Sequence, residues 1–285
     1  MKPLVSICIP TFNGETYIAE AMESVLQQDY SNLEIIVSDD SSQDDTLSVV
    51  ERYKTKTQIP IQLHHHTPKG IGANWNHCIE KANGEYIKFL FQDDRLEPQC
   101  VSKMMAMMGS ADTIGMVYAK RHIISDSNDD FYKEFKRVYG QLHTNWGELS
   151  IKTGSMPGQA YLKDSQFLNA PKNKIGEPSS VLIKKKCFKK VGLFNTDLKQ
   201  ALDCEFWYRL MPFYDIGFVD EYLGTFRLHK AQASHKNKQA KINETEQLYK
   251  MYYKTLLPHL HKKCKWKLHK RFHPLLSRLV KVKNG

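Results

Sequence analysis

The sequence predicts an α/β protein with a mostly parallel central sheet flanked by helices. One observation is the alternation of strand-like apolar runs with helix-like amphipathic segments through the first 91 residues, the order expected of βαβ units. A second is the placement of three polar clusters, "PTFN" (10–13), "SDDSSQDD" (38–45) and "QDDR" (92–95), each directly after a strand-like run. Sheets of this kind bind ligands beyond the carboxyl ends of their strands, so three clusters at those ends read as a site.

The elements follow in order. "LVSICI" (4–9) is a strand ended by Pro10, and "GETYIAEAMESVLQQ" (14–28) is a helix with Ile18, Ala21, Met22, Val25 and Leu26 on one face. "LEIIVSDD" (33–40) is a second strand, and "DDTLSVVERYKT" (44–55) a second helix with Asp44 or Asp45 near its N-terminus. "IPIQLHHH" (59–66) is a third strand whose histidines are expected to be exposed at its end. "GIGANWNHCIEKANG" (70–84) is a third helix with Gly84 past its end, followed by the strand "EYIKFLF" (85–91).

Beyond Pro98 the order is looser. "QCVSKMMAMMG" is a Met-rich helix, "IGMVYAKRHII" (114–124) a strand, and residues 126–175 loops and short helices over the sheet edge. "SSVLIKKKCFKKVGLF" (179–194) reads as a strand and a short helix, "LDCEFWYRLM" (202–211) as a helix, and "DIGFVDEYLGTFRLH" (215–229) as further strand.

Composition narrows the function. Of the 285 residues 41% are hydrophobic, enough for a substantial core. No segment has the uncharged apolar length of a transmembrane helix, and "MKPLVSICIPTFN" lacks the pattern of a signal peptide. Six cysteines without C-x-x-C spacing read as free thiols of a reducing compartment. The net charge is +10, yet eleven Lys or Arg and no acidic residue follow Glu246, so the preceding chain is close to neutral. That neutrality argues against extended nucleic-acid contact. The turn after the first strand, "PTFNGE", is not the G-x-G-x-x-G of a dinucleotide-dependent oxidoreductase. It also lacks the Gly- and basic-rich phosphate loop usual in nucleotidyltransferases.

Taken in order, the motifs resemble family 2 glycosyltransferases of the GT-A fold. "VSICIPTFNGETYIAEAMESVLQQDYSNLEIIVSDDSSQDDT" is similar to the family's opening, and "KGIGANWNHCIEKANGEYIKFLFQDD" to its K-G segment and its strand ending in D-x-D-D. "LDCEFWYRL" is similar to E-D-x-D-[LF]-W-L-R-L, and "FRLHKAQAS" to Y-R-x-H-x-x-S-x-S. Two positions depart from the pattern: Phe91 stands where the first Asp of D-x-D-D is usual, and Leu202 where a Glu is usual.

The resemblance implies a GT-A fold with a Rossmann-like sheet, divided into a nucleotide-sugar half (1–98), an acceptor and catalytic half (99–235) and a basic helical extension (236–285). It implies an inverting transfer from a nucleotide-diphosphate sugar, uridine-linked as most often in the family, to a hydroxyl of a glycan or lipid-linked acceptor. Pro10, Thr11, Phe12, Asn13, Asp39, Lys69 and Asp93 would bind the nucleotide. Asp94 would ligate a divalent cation, Mn²⁺ or Mg²⁺, a hard ion suited to carboxylate and phosphate oxygens. Asp203 would be the general base, kept ionised at a helix start. Arg227 and His229 would lie near the diphosphate, and Glu177 of "GEPSS" on the acceptor side. Trp207 and Arg209 read as core packing and a salt bridge, with Glu205 supporting the helix start. A nucleotidyltransferase and a catalytically impaired sugar-binding relative remain as alternatives.

In the tail, Leu268, Phe272, Leu275, Leu276 and Leu279 recur on one helical face, with Trp266 at its edge and nine cations between 262 and 283. The alternatives are a helix packed on the domain and one lying on an anionic membrane surface. The second implies a cytoplasmic protein held peripherally at the inner face of the cell membrane.

Overall fold

A computed structural model of the chain describes residues 2–232, 235, 237 and 240–274. Its first half follows the predicted alternation: β1 (Val5–Thr11), α1 (Ile18–Leu26), β2 (Leu33–Asp39), α2 (Thr46–Tyr53), β3 (Ile61–His65), α3 (Ile71–Lys81) and β4 (Tyr86–Phe89). The second half runs β5 (Arg95–Leu96), α4 (Cys100–Met108), β6 (Ile114–Ser125), α5 (Asp130–Tyr139), β7 (Gly154–Pro157), α6 (Gly158–Leu162), β8 (Val181–Lys184), α7 (Lys186–Val191), α8 (Leu202–Leu210) and β9 (Asp215–Leu228). Two further helices, α9 (Thr245–Thr255) and α10 (Lys262–Phe272), close the described chain.

The strands form one mixed sheet in the order β3-β2-β1-β4-β8-β6-β9-β5, with β7 added to β9. The pairs β1–β2, β1–β4, β2–β3 and β6–β9 are parallel, and β8 enters antiparallel between β4 and β6. The long β6–β9 ladder makes most of the register parallel, as predicted. The segment 126–175, expected to be irregular, contains the ten-residue helix α5.

Both sheet faces are buried. Ile7, Ile9, Ile35 and Val37 point to one side, into a cluster with Ile18, Met22 and Val25 of α1, Val50 of α2 and Met104 of α4. Cys8, Ile36, Ile87 and Phe89 point to the other side, toward Trp75 of α3 and Phe206 and Trp207 of α8. The alternation is the period-2 geometry of a strand, here with apolar residues in both phases because helices cover both faces. Gly84 makes the close fit between the end of α3 and β1: a Cβ there would lie 2.6 Å from Ser6 Oγ and 2.8 Å from Leu4 O. Asp44, expected as the cap of α2, lies one residue before the N-cap Asp45, whose side chain makes no capping bond; the Asp44 Oδ1 accepts the Thr46 N–H at 3.1 Å instead. All six cysteines are free and buried.

The basic C-terminal segment is docked as far as it is described. Leu248, Tyr249 and Tyr252 of α9 and Cys264 and Leu268 of α10 are buried in the cluster that holds Trp207. Leu268, read from the sequence as part of a face open to a membrane, therefore faces the core. Phe272 packs partly buried against the same cluster, and Leu275, Leu276 and Leu279 lie outside the described residues. The reason is apolar area: a helix packed on α9 gains more by burying Leu268 in the shared cluster than by leaving it in water. We expect Leu268→Ala to lower the unfolding free energy by about 2–5 kcal/mol. A urea midpoint equal to wild type, at the same slope, would mean that α10 is not docked in solution.

Candidate functional site

The predicted site residues gather along the carboxyl edge of the sheet. Thr11 ends β1 and Asp39 ends β2, paired in register. Asp39 is fully buried: its Oδ1 accepts from Thr11 Oγ1 at 2.7 Å and Ser42 Oγ at 2.6 Å, and its Oδ2 from the Ser42 N–H at 2.8 Å. These bonds tie the 38–45 loop to the end of β1 and engage both carboxylate oxygens. Asn13, in a left-handed conformation (φ 48°), accepts from the Gln43 N–H at 2.8 Å and joins the same loop.

Phe12 stands out from this edge, the residue 51% exposed. Gln92 brackets its backbone, accepting from Phe12 N at 2.9 Å and donating to Phe12 O at 3.0 Å. Gly14 leaves room for that side chain, since a Cβ there would lie 2.3 Å from Gln92 Oε1. An exposed aromatic on a backbone fixed this tightly suits a flat ring. Pro10 is half-buried beside it, and Lys69 is exposed in the loop before α3.

The next strand end carries the carboxylates. Asp94 is buried; its Oδ1 accepts from the Arg227 N–H at 3.0 Å, and its Oδ2 is buried without a hydrogen-bond partner. Burial first, and the neighbouring Asp93 charge next, raise its pKa well above the usual carboxylate range. Asp93 pairs with His229 Nε2 at 2.9 Å. The Arg227 guanidinium reaches Glu20 at 2.7 Å and Asp93 O at 3.1 Å, and lies 4.4 Å from the Tyr17 ring centre. Tyr17 in turn donates to Asp126 Oδ2 at 2.7 Å. Arg227, His229, Asp93 and Asp94 are thus brought together by the pairing of β5 with β9, in which Arg95 lies opposite Thr225.

An orphaned, buried carboxylate oxygen fits a divalent cation. Among the described residues no group of three or more His, Cys, Asp or Glu is arranged to hold a metal. A cation here would therefore take Asp94 as a protein ligand and complete its shell with phosphate oxygens and water, the usual arrangement for Mg²⁺ at phosphate sites.

Asp203 enters from α8. Its Oδ2 accepts from Asn173 Nδ2 at 2.8 Å, and its Oδ1 from the Cys204 N–H at 2.6 Å. Placement at a helix start predicts an ionised carboxylate. Burial outweighs the helix: it raises the Asp203 pKa to about 7, the Cys204 N–H and Asn173 amide offsetting part and the Glu177 charge adding to it. Glu177 accepts from Arg121 Nε at 2.6 Å in a nearly buried ion pair. Its charge raises both Asp94 and Asp203, so it acts on both carboxylates. Trp207 is core, as expected, and also donates to Gly176 O at 3.0 Å; Arg209 pairs with Glu205 at 2.8 Å.

Sequence reasoning missed Asn173, Arg121 and Lys88. Asn173 sits in the loop "PKNKIGE" with no periodic signal around it. Lys88 did carry a signal, a lysine inside an apolar strand; it is fully buried and donates to Phe89 O at 3.1 Å and to Ser179 O. Of the strand-end histidines expected to be exposed, His65 is, while His64 and His66 are half-buried. His66 Nδ1 pairs with Asp40 Oδ1 at 2.5 Å, and His64 and His66 pack around the His77 ring.

Comparison with known proteins defines the class. The family model described as Glycosyl transferase family 2 matches residues 6–166, and the chain belongs to that family. Its architecture is that of GT-A transferases. The Staphylococcus aureus TarS fragment 1–349, solved with UDP-GlcNAc, superposes with a TM-score of 0.67 at 18% identity, covering 99% of this chain and 76% of that one. The mannosyltransferase PcManGT of Pyrobaculum calidifontis, solved with GDP-Man and Mn²⁺, gives 0.59 at 17% identity, covering 100% of this chain and 80% of that one. The GalNAc(5)-diNAcBac-PP-undecaprenol beta-1,3-glucosyltransferase of Campylobacter jejuni is 39% identical over 104 residues, 36% of this chain and 34% of that protein. Among curated relatives matched over most of this chain, the first two are spanned to 67% and 66% of their length.

The Arg121–Glu177 pair supplies a test of the site's electrostatics. Arg121→Met leaves a nearly buried carboxylate unpaired and is expected to cost about 3–5 kcal/mol of stability. Adding Glu177→Gln should recover most of that loss in chemical denaturation. No recovery would mean that the pair is not what stabilises this corner.

Proposed function

We propose that the protein is an inverting glycosyltransferase that moves a sugar from a nucleotide-diphosphate donor to a hydroxyl of a glycan or lipid-linked acceptor. The observation that carries this reading is Asp203, a carboxylate raised to about 7 and held by Asn173 in a site whose other edge carries an unpartnered carboxylate oxygen. A base with a pKa near the working pH combines the ionised form with a useful driving force for proton transfer. In the reaction the acceptor hydroxyl attacks the anomeric carbon from the face opposite the leaving diphosphate. Asp203 accepts its proton as the new bond forms, and one displacement inverts the centre.

Phe12 offers its exposed ring to the base. Asp39 fixes the loop around the nucleotide more than it contacts it, because both its oxygens are engaged. Arg227 and His229 face the diphosphate, with Arg227 leaving its contacts to Glu20 and Asp126 to meet phosphate oxygens. A divalent cation held through Asp94 would neutralise charge on the leaving group. A UDP-linked donor is supported by the TarS complex, and a lipid-linked acceptor in polysaccharide or glycoconjugate synthesis by the Campylobacter relative.

The proposal includes peripheral attachment at the inner face of the cell membrane, with a changed orientation of α10. Its outward face carries Lys262, Lys263, Lys270 and Trp266, the last 54% exposed, without an acidic residue. That face, rather than Leu268, is suited to an anionic interface. Among the described residues no helix is long and apolar enough to cross a membrane.

Three measurements test the reading. A thermal-shift screen of nucleoside diphosphates with Mn²⁺ or Mg²⁺ should raise the melting temperature selectively for one nucleotide. Asp94→Asn should abolish that metal-dependent gain together with transfer; near-normal turnover at limiting Mn²⁺ would remove Asp94 from the role. Asp203→Asn should bind donor normally and lose about 10²–10⁴-fold in turnover. The pH dependence has a definite sign. Asp203 is raised in the folded state from 3.8 to about 7, so its contribution to stability is full below pH 4 and is lost as pH rises through 7. Transfer by wild type should rise over the same upper range, as the base ionises. Asp203→Asn should flatten both trends, and an unchanged profile would refute the assignment.

A further inference from the structure

We propose that Lys172, Lys267 and Arg271, gathered around Tyr249, form a second anion site, outside the donor cleft, that binds a phosphate group. It goes beyond the general surface attraction of α10 by assigning particular residues.

Three cations from two separate parts of the chain converge on one ring. Lys172 Nζ lies 4.7 Å from the Tyr249 ring centre, Arg271 5.7 Å and Lys267 5.8 Å. The ring itself is buried, and its hydroxyl donates to Leu168 O at 2.6 Å while accepting from Lys172 Nζ. Lys172 Nζ also donates to Leu168 O at 2.5 Å. An ammonium has three donors, so one N–H of Lys172 has no protein partner among the described residues. Lys267 and Arg271 are four apart on α10 and share a face, an arrangement of like charges that destabilises a helix.

The charges are under-compensated. Arg271 pairs with Glu246, but neither Lys172 nor Lys267 makes a salt bridge among the described residues. Burial first, and then Lys267 and Arg271, lower the Lys172 pKa to about 8. That shift expresses repulsion which a bound anion would relieve. The groups suit phosphate: Arg271 presents a planar fork and the two lysines present compact charges. Lys267 and Arg271 are exposed, so the site can be reached from solvent. Asn173, which holds Asp203, is the next residue after Lys172, so an anion here would also steady the loop behind the proposed base.

The phosphate could belong to a lipid headgroup or to a soluble molecule, and the test separates them. Inorganic pyrophosphate is titrated calorimetrically into the full chain already saturated with nucleoside diphosphate. In parallel, the chain is sedimented with phosphatidylglycerol and with phosphatidylcholine vesicles. Lys267→Gln/Arg271→Gln, on the surface, is compared with wild type, and Lys172→Met tests the half-buried cation. Pyrophosphate binding that weakens at least tenfold in both variants supports the site with a soluble phosphate. Phosphatidylglycerol binding that falls in both, without pyrophosphate binding, supports it with a lipid headgroup. No binding of either probe by wild type overturns it. Binding of both probes by the double variant at wild-type strength also overturns the site, while leaving the membrane reading intact. A loss confined to the double variant, with Lys172→Met folded and unaffected, overturns it as drawn; if Lys172→Met does not fold, the double variant decides.

Discussion

The constraint on which the rest of this molecule depends is the crowding of carboxylates at one edge of its sheet. Asp93, Asp94, Glu177 and Asp203 approach one another there, and an unpaired buried charge is expensive. Each is answered differently. Asp93 has His229, Glu177 has Arg121, and Asp203 has an amide and a backbone N–H rather than a cation. Asp94 has the Arg227 N–H on one oxygen and the Ser179 hydroxyl nearby, which lowers its pKa in part, and no partner within hydrogen-bond geometry on Oδ2. Beneath them the buried Lys88 donates to Ser179 O and lies within range of the charges of Asp94 and Glu177. Asp94 and Asp203 are the two whose pKa values rise, with burial the first cause at each. That split is the arrangement expected where one carboxylate awaits positive charge and another must exchange a proton.

The topology explains how residues so distant in sequence meet. Strand β9 lies parallel to β6 along its whole length and ends at Leu228, just before His229. Its end lies beside the segment that follows β4, so the backbone N–H of Arg227 can reach Asp94. The antiparallel β8 places the Glu177–Ser180 segment against the same edge from the other side, where Ser179 Oγ accepts from Phe91 N at 3.1 Å. The departure at Phe91 has a packing role in this setting: its ring lies 5.0 Å from Trp75. The apolar neighbour leaves the strand-end charge to Asp93 and Asp94.

Much of the first half was legible from the sequence because its physics is local. The periodicities of 33–40 and 70–84 and the polar strand ends depend on neighbours a few residues away, and they appear as read; Asp44 bonds the start of α2 from one residue before its N-cap. What was not legible depends on tertiary contact. The helix start at Asp203 suggested an ionised carboxylate, but burial by elements distant in sequence reverses that. Asn173 has no local mark of function; its amide oxygen is fixed by the Ile175 and Gly176 N–H groups at 3.0 and 2.9 Å, which leaves its NH₂ to face Asp203. Lys88 could have been flagged, since a lysine inside "YIKFLF" must find partners or leave the core.

The C-terminal helices show the same limit in another form. Composition marked residues after 246 as basic, and the apolar spacing marked a helical face, yet neither says what that face covers. Packing decides it: Cys264 and Leu268 are four apart and turn inward together, toward the cluster that contains Trp207. Trp207 donates to Gly176 O, and Gly176 O also accepts from Asn173 at 2.9 Å. The helix that carries the exposed cations is packed on α9 and on the 164–165 segment, where Cys264 Sγ meets Asp164 O and Ser165 O, and it shares with Trp207 the apolar cluster behind Gly176. A basic outer surface and an apolar inner one on α10 are thus two halves of one arrangement, in which the inner half fixes the helix to the domain and the outer half keeps its charges in water.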